Sequence, residues 1–379
     1  MARYEGPIVD VDIHHKPRTD AEVVGYLPKR WRDYVKGEGG AAFPITPVSH
    51  LGASGMTPGS QADHWGPDGS RPGSSYEMIK EQLLDRHDYW RVVLTHDQAE
   101  WGSHLNPYFG RAVCRAFNDW NMDTWLTWDD RFYSGVVVPV GEPQEAVKEI
   151  KRVGKHSRMV SILIGVNALG RPIGDPLYHP MYKACAELGL QVSVHPCPYN
   201  RPNQTVHSVG GGRGLLEWLS QVGQQGMAHV ASLIVHGVFE KYPDLKVVVK
   251  EHGLSWLPSL MWRLDDNYEL LKHESPWVKR WPSEYIREHV KLSTQPLEES
   301  PDTKDGLGQL LGAVEGFEDL LCFSTDYPHP TDDEPGYVMR NLPAAWLPKV
   351  FCLNACAAYN WTPPTTTSTA THELASLAA

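Results

Sequence analysis

Cysteine is scarce in this chain. Six cysteines occur in 379 residues, at positions 114, 185, 197, 322, 352 and 356, and none forms a C-x-x-C pair. That spacing excludes a disulfide framework or a zinc ribbon, and a chain of this length buries enough surface to fold without such staples. The thiols read as reduced and mostly buried, and Cys197, two residues past His195, reads as packing. Basic runs are also missing, and the net charge is −11, so nucleic acid and acidic membrane surfaces are not expected partners. No segment approaches the roughly 20 apolar residues that a membrane helix needs. The opening Met-Ala-Arg-Tyr-Glu-Gly-Pro lacks the apolar core of a signal peptide, which leads to the expectation of a cytoplasmic protein. No G-x-G-x-x-G follows the first strand, and Gly210-Gly-Gly-Arg-Gly214 follows no strand at all, so neither supplies a phosphate cradle.

What is present is a repeated alternation of apolar strands and helical segments. Strands are expected at Gly6–Lys16, Tyr89–Thr95, Tyr133–Val140, Met159–Gly165, Leu190–His195, Leu245–Glu251, His289–Ser293 and Asp319–Thr325. Between them, helical patterns fall at Asp20–Val35, Tyr76–Arg86, Asn106–Thr124, Pro143–Val153, Pro180–Leu188, Leu215–Tyr242, Leu254–Leu271 and Leu307–Val314, with Ala344–Tyr359 closing the chain. Eight βα units in about 360 residues predict an α/β fold, a (β/α)8 TIM barrel, with an open doubly wound sheet as the weaker fit. A single barrel domain is expected over 1–361. It carries a Gly/Pro/Ser-rich insertion at 36–75 after the first strand, read as a lid or pocket wall, and a mobile tail at 362–379.

Barrel chemistry collects at the C-terminal ends of strands. Those positions hold Asp12 and His14 after strand one, His195 after strand five, Glu251 and His252 after strand six, and Asp326 after strand eight. Asp12 and His14 are two apart and so share a side of their strand. Two imidazoles with one or two carboxylates match a catalytic metal centre that keeps an open position for water. No lysine ends strand four, Ser161-Ile-Leu-Ile-Gly165, so one metal is expected rather than a carbamate-bridged pair.

The chain resembles the amidohydrolase superfamily, in the amidohydrolase 2 branch that includes aminocarboxymuconate-semialdehyde and resorcylate-type decarboxylases. The resemblance runs from Ile8 to Tyr359. It rests on Val9-Asp-Val-Asp-Ile-His14, Val192-Ser-Val-His-Pro196, Gly237-Val-Phe-Glu-Lys-Tyr-Pro-Asp-Leu-Lys246, Glu251-His-Gly-Leu-Ser-Trp-Leu-Pro258, Phe323-Ser-Thr-Asp-Tyr-Pro-His329 and Asn354-Ala-Cys-Ala-Ala-Tyr359. It implies Asp12, His14, His195 and Asp326 as metal ligands, with Zn²⁺ ahead of Mn²⁺ as the ion. It also implies His252 as the catalytic histidine, with Asp326 adding general-base work. Leu254 replaces a glycine found in some members. A homodimer is implied at family level only. His15, on the opposite face from His14, reads as structural, and His207, His229 and His236 read as non-ligands. Glu251, Arg263 and His329 are open between structural and substrate-facing roles, and Trp256 reads as core.

The expected activity is hydrolysis, in which a metal-bound water is activated against a small, ring-containing carboxylate, amide or lactone. The alternative is non-oxidative decarboxylation of an aromatic or unsaturated acid by the same residues. A barrel that only binds is a third reading, and loss of an expected ligand residue would have been its mark.

Overall fold

The computed structural model describes residues 4–36, 64–96, 101–104, 106–165, 170–196, 215–300, 302–303, 305–329 and 333–364. Eight strands form one sheet in sequence order: β1 (Ile8–His14), β2 (Tyr89–Thr95), β3 (Phe132–Val137), β4 (Met159–Ile164), β5 (Gln191–Val194), β6 (Val247–Val249), β7 (Val290–Ser293) and β8 (Leu321–Cys322). Every neighbouring pair is parallel. β8 returns to β1 through an isolated bridge between Ile13 and Tyr327, which brings the sheet round into a nearly closed TIM barrel.

The strands are apolar because a parallel barrel buries both of their faces. Alternation assigns the faces. Val9, Val11, Val93, Val248 and Cys322 form an inner cluster, while Ile8, Val92, Leu94, Val247 and Val249 join the larger core under the helices. By the same period of two, Thr95 and Lys250 continue the inward rows at the top of β2 and β6.

The closing segment also packs on the inner cluster, through Cys352, Ala355, Cys356, Ala358 and Tyr359. At the N-terminal mouth, the Arg91 guanidinium lies 4.1 Å from the Trp90 ring, 4.8 Å from Tyr133 and 4.5 Å from Trp361. This cation–π cage fills the base of the barrel.

The structure departs from the expected elements in several places, among them the helix expected over 20–35, which divides into Asp20–Val24 and Lys29–Lys36, and an unanticipated helix at Pro335–Asn341. A helix at Pro282–His289 was not anticipated; its first turn is closed by Glu284, which accepts from the Trp281 backbone N–H at 2.8 Å. The expected helix over 215–242 divides into Leu215–Gln221, Gly223–Val235 and Val238–Lys241, with Gly237 in the left-handed region. The eighth strand shortens to two residues because the chain past it bonds elsewhere. Phe323 donates to the closing segment at Val350 O (2.8 Å), and Asp326 donates to Asp12 O (3.0 Å). Most of the 36–75 insertion, Cys197, His207 and the tail from 365 fall outside the described residues.

Candidate metal centre

Asp10 builds the top of the barrel. It is fully buried, and its carboxylate accepts from the Asp12 N–H (3.0 Å), the Thr325 N–H (3.2 Å) and the Thr325 hydroxyl (2.6 Å). The turn after β8 is thereby tied to β1. Backbone bonds from Asp326 to Asp12 O and from His14 to Tyr327 O (2.7 Å) complete the tie. Burial pushes the Asp10 carboxyl up to about 7, against the pull of these donors.

Asp12, His14, His195 and Asp326 offer donor atoms that all lie within 4.8 Å of one another, and His14, Asp326, Glu251 and His329 form an overlapping group. His14 Nε2 is 3.0 Å from Asp326 Oδ1 and 3.9 Å from Asp12 Oδ1. His195 Nε2 is 3.8 Å from Asp12 Oδ2 and 3.0 Å from Glu251 Oε2. Asp12 and Asp326 are buried to within 1%. Among the described residues, Asp12 Oδ2 and Asp326 Oδ2 find no hydrogen-bond partner. Buried carboxylate oxygens without donors are costly unless a cation faces them, so the donor set fits a metal ion.

Neighbouring groups fix the imidazoles. His195 donates from Nδ1 to the Pro196 carbonyl at 2.7 Å, which leaves Nε2 for the cluster. His252 donates from Nδ1 to the Lys250 carbonyl at 2.5 Å, so its buried Nε2 carries a lone pair, with no hydrogen-bond partner among the described residues. Burial, with the His229 charge adding to it, holds His252 down at about 3 and keeps it neutral. Trp256, buried as core, donates from its indole to the carbonyls of His252 (2.9 Å) and Gly253 (2.9 Å) and so fixes that turn.

Two residues that the sequence reading left open lie in the cluster. His329 donates from Nδ1 to Asp326 Oδ1 at 2.7 Å, and its ring stands 4.2 Å from that of His14. Glu251 faces His195. Arg263 is exposed on its helix, outside the cluster. His15 turns away, donating to Asn121 Oδ1 (3.0 Å) in a pocket with Trp120 and Trp125. His229 is buried in its helix and lies outside both donor groups.

Sequence reasoning missed Lys250. Its ammonium is buried at the barrel axis, 2.8 Å from Thr95 Oγ1 and 3.5 Å from Asp12 Oδ1, and Thr95 in turn donates to Asp12. Burial pulls the ammonium below its ordinary value, while Asp12, Asp10 and Asp326 pull it back up. Burial also opposes ionisation of Asp12, yet Lys250, His195 and His14 bring its carboxyl down to about 2. Asp326 moves the other way, raised by burial and by the Glu251 charge.

Segment 64–75 passes over the ends of these strands. Gly73 sits at φ +71 with the space of its missing Cβ only 2.5 Å from the His14 carbonyl oxygen, and it accepts from the Lys16 N–H at 2.9 Å. Only glycine combines that backbone angle with that approach.

Strand ends carrying Asp-x-His, His, His-Gly and Asp on a parallel barrel are matched by a family model described as amidohydrolase (Amidohydro_2), over residues 10–361. The chain belongs to this amidohydrolase family. The amidohydrolase is 24% identical over 266 residues to a gamma-resorcylate decarboxylase of Polaromonas sp. strain JS666, covering 66% of this chain and 77% of the relative. It is also 24% identical over 266 residues to the 2-amino-3-carboxymuconate-6-semialdehyde decarboxylase of Dictyostelium discoideum, covering 70% of each. Its fold matches the crystal structure of a dihydroxybenzoic acid decarboxylase from Polaromonas sp. JS666, with bound manganese and the inhibitor 2-nitroresorcinol. That match has a TM-score of 0.62 at 17% identity and covers 94% of this chain and 97% of the other. In this amidohydrolase no helix among the described residues is long and apolar enough to cross a membrane.

Proposed function

We propose that this amidohydrolase is a metal-dependent, non-oxidative decarboxylase of a small hydroxylated aromatic or unsaturated acid. The observation that carries the reading is a buried donor set of two imidazoles and two carboxylates, beside a neutral His252, in a chain whose curated relatives are decarboxylases. Asp12, His14, His195 and Asp326 would hold one divalent ion. Manganese is proposed ahead of the zinc that the sequence suggested, because the donor set is rich in carboxylate oxygen and a manganese ion is bound in the Polaromonas enzyme. The ion would supply charge that fixes the acid's carboxylate and an adjacent hydroxyl in one orientation.

The protein's own groups then manage one proton at each of two places. His252 Nε2, with its lone pair fixed by the Nδ1 bond to the Lys250 carbonyl, accepts the proton of the substrate hydroxyl and raises electron density on the ring. Asp326, hydrogen-bonded by His329, delivers a proton to the ring carbon that bears the carboxylate. The bond to the carboxylate breaks, its electron pair returns to the ring, and CO₂ leaves. Atoms balance with one proton taken up for each CO₂ released.

The test is reconstitution with Mn²⁺ and incubation with ortho-hydroxybenzoates in D₂O. The expected result is CO₂ release with one deuterium at the vacated ring carbon. Hydrolysis of lactones or amides without CO₂ release would replace this reading with the hydrolase that the sequence first suggested.

A further inference from the structure

We infer that Glu298 is the positioning residue for His252: from the loop after β7 it clamps the turn that follows β6 and so holds the imidazole in place. The inference rests on the reading that His252 takes the proton of the substrate hydroxyl. The competing role for Glu298 is a cap that stabilises the helix Trp256–Leu271 and does nothing more.

The Glu298 carboxylate is committed to a single turn. Its Oε2 accepts from the Leu254 N–H (2.8 Å) and the Ser255 N–H (2.7 Å), and its Oε1 accepts from the Ser255 hydroxyl (2.8 Å). Gly253 lies between His252 and these donors at φ +71, and a Cβ there would stand 2.8 Å from Glu298 Oε1 and 3.0 Å from its carboxyl carbon. Glycine at this position admits both the backbone angle and the close approach of the carboxylate.

The choice of donors separates a clamp from a cap. A cap satisfies the orphan N–H groups of the first helical turn. Glu298 takes instead the N–H groups of Leu254 and Ser255, which precede the first helical residue, Trp256. Ser255 occupies the N-cap position, yet its side chain accepts no capping bond, and its hydroxyl turns to Glu298. A serine placed to cap its own helix ties the turn to the neighbouring loop.

Glu298 is itself anchored. The Leu297 N–H donates to Asp333 Oδ2 (2.8 Å), and the Asp333 N–H donates to the Thr325 carbonyl (2.9 Å). Thr325 is the residue that Asp10 ties to β1. One chain of hydrogen bonds therefore runs from β1 through the turns after β8 and β7 to the turn that carries His252. The helix Gly223–Val235 packs on the imidazole at Gly226, and Glu298 holds the backbone that follows it. Displacements of a reacting group on the order of 1 Å change rates by about a hundredfold, so the clamp bears on turnover.

Glu298→Ala and Glu298→Gln in the full chain test the assignment. Glutamine keeps the length, can accept both N–H groups with its amide oxygen, and can donate from its NH₂ to the Ser255 hydroxyl. One readout is steady-state CO₂ release from an ortho-hydroxybenzoate with Mn²⁺. The other is the Nδ1–H signal of His252 in ¹H–¹⁵N spectra of metal-free protein labelled with ¹⁵N-histidine, assigned by its loss in His252→Gln. In Glu298→Ala, kcat should fall on the order of tenfold or more with KM and Mn²⁺ content held, and the His252 signal should move or broaden. Glu298→Gln should return kcat to within about threefold of the parent and return the signal to its parent position. If Glu298→Ala does not fold, Glu298→Asp, one methylene too short to reach all three donors, takes its place with the same expectations. A variant that melts at a lower temperature yet keeps the parent's kcat and His252 signal would make Glu298 a helix cap only and overturn the assignment. A parent that releases no CO₂ would overturn the decarboxylase reading, and the His252 signal would still decide for or against Glu298.

Discussion

Replacing Lys250 with methionine tests how the barrel carries its buried charge. Methionine keeps the length and apolar stem of the side chain but removes the ammonium that lies 3.5 Å from Asp12 and 2.8 Å from Thr95. At an effective dielectric constant near 20, unit charges at that separation attract by about 5 kcal/mol. Breaking a buried pair while leaving one charge behind costs about 3–5 kcal/mol. In chelator-treated protein the substitution strands Asp12 among Asp326 and Glu251, so most of that cost should appear as a lower urea midpoint, followed by tryptophan fluorescence. A bound divalent ion compensates Asp12 in place of Lys250, so the metal-loaded variant should recover much of the loss. Linkage then requires the recovered energy to appear as tighter metal binding. A recovery of about 1.4 kcal/mol corresponds to tenfold in affinity. The expected variant is therefore weaker without metal and a tighter binder of Mn²⁺. If metal-free Lys250→Met unfolds at the parent's urea concentration and binds Mn²⁺ no more tightly, Lys250 is uncharged in the native protein and the charge argument fails.

Other perturbations follow from the same geometry. Gly226 faces His252, and a Cβ there would lie 3.2 Å from His252 Cβ and 2.8 Å from Trp256 Cζ2, so Gly226→Ala should displace the imidazole. A fall in kcat on the order of tenfold with unchanged metal content is expected, and an unaltered kcat would show that the position of His252 is not limiting. Asp10→Ala leaves two N–H groups and a hydroxyl without their acceptor, which should cost about 3 kcal/mol in denaturant stability; a loss below about 1 kcal/mol would remove Asp10 as the tie between β1 and the turn after β8. His289 is buried and stacked on Phe239 at 4.4 Å, and burial lowers its proton affinity. The unfolded chain takes up a proton near pH 6.5 that the folded chain refuses, so stability should fall as pH drops below about 6.5, and His289→Gln should flatten that limb. Identical pH profiles of the urea midpoint for the two proteins would refute it.

The barrel was legible because its strands bury both faces and stand out as apolar runs between turn residues. Tyr89–Thr95 and Pro143–Val153 have the bounds expected from sequence, and the other strands shift only at their ends. Asp12, His14, His195 and Asp326 were legible as the polar residues ending those runs. Lys250 was not, because its significance lies in reaching across the barrel axis from β6 to Thr95 on β2, two strands that never pair. A signal existed: Lys250 continues the inward row of Val248, where a barrel strand normally places an apolar side chain. Glu251 was ambiguous because linear spacing does not disclose a left-handed backbone. His329 was ambiguous because its return to Asp326 depends on the turn through Tyr327 and Pro328. The helix at Pro282–His289 was hidden by its length, eight residues, and by the polar Ser283 and His289 among its buried positions.

The Arg91 cage turns the barrel into a vessel with one mouth. With Trp90, Tyr133 and Trp361 closed around the guanidinium, and Tyr359 packed into the same inner cluster, the floor is sealed by rings. Whatever enters the top of the barrel must then depart by the same end. Removing the last turn at Trp361 would open a drain in the floor, admitting water along an axis that the fold otherwise keeps dry.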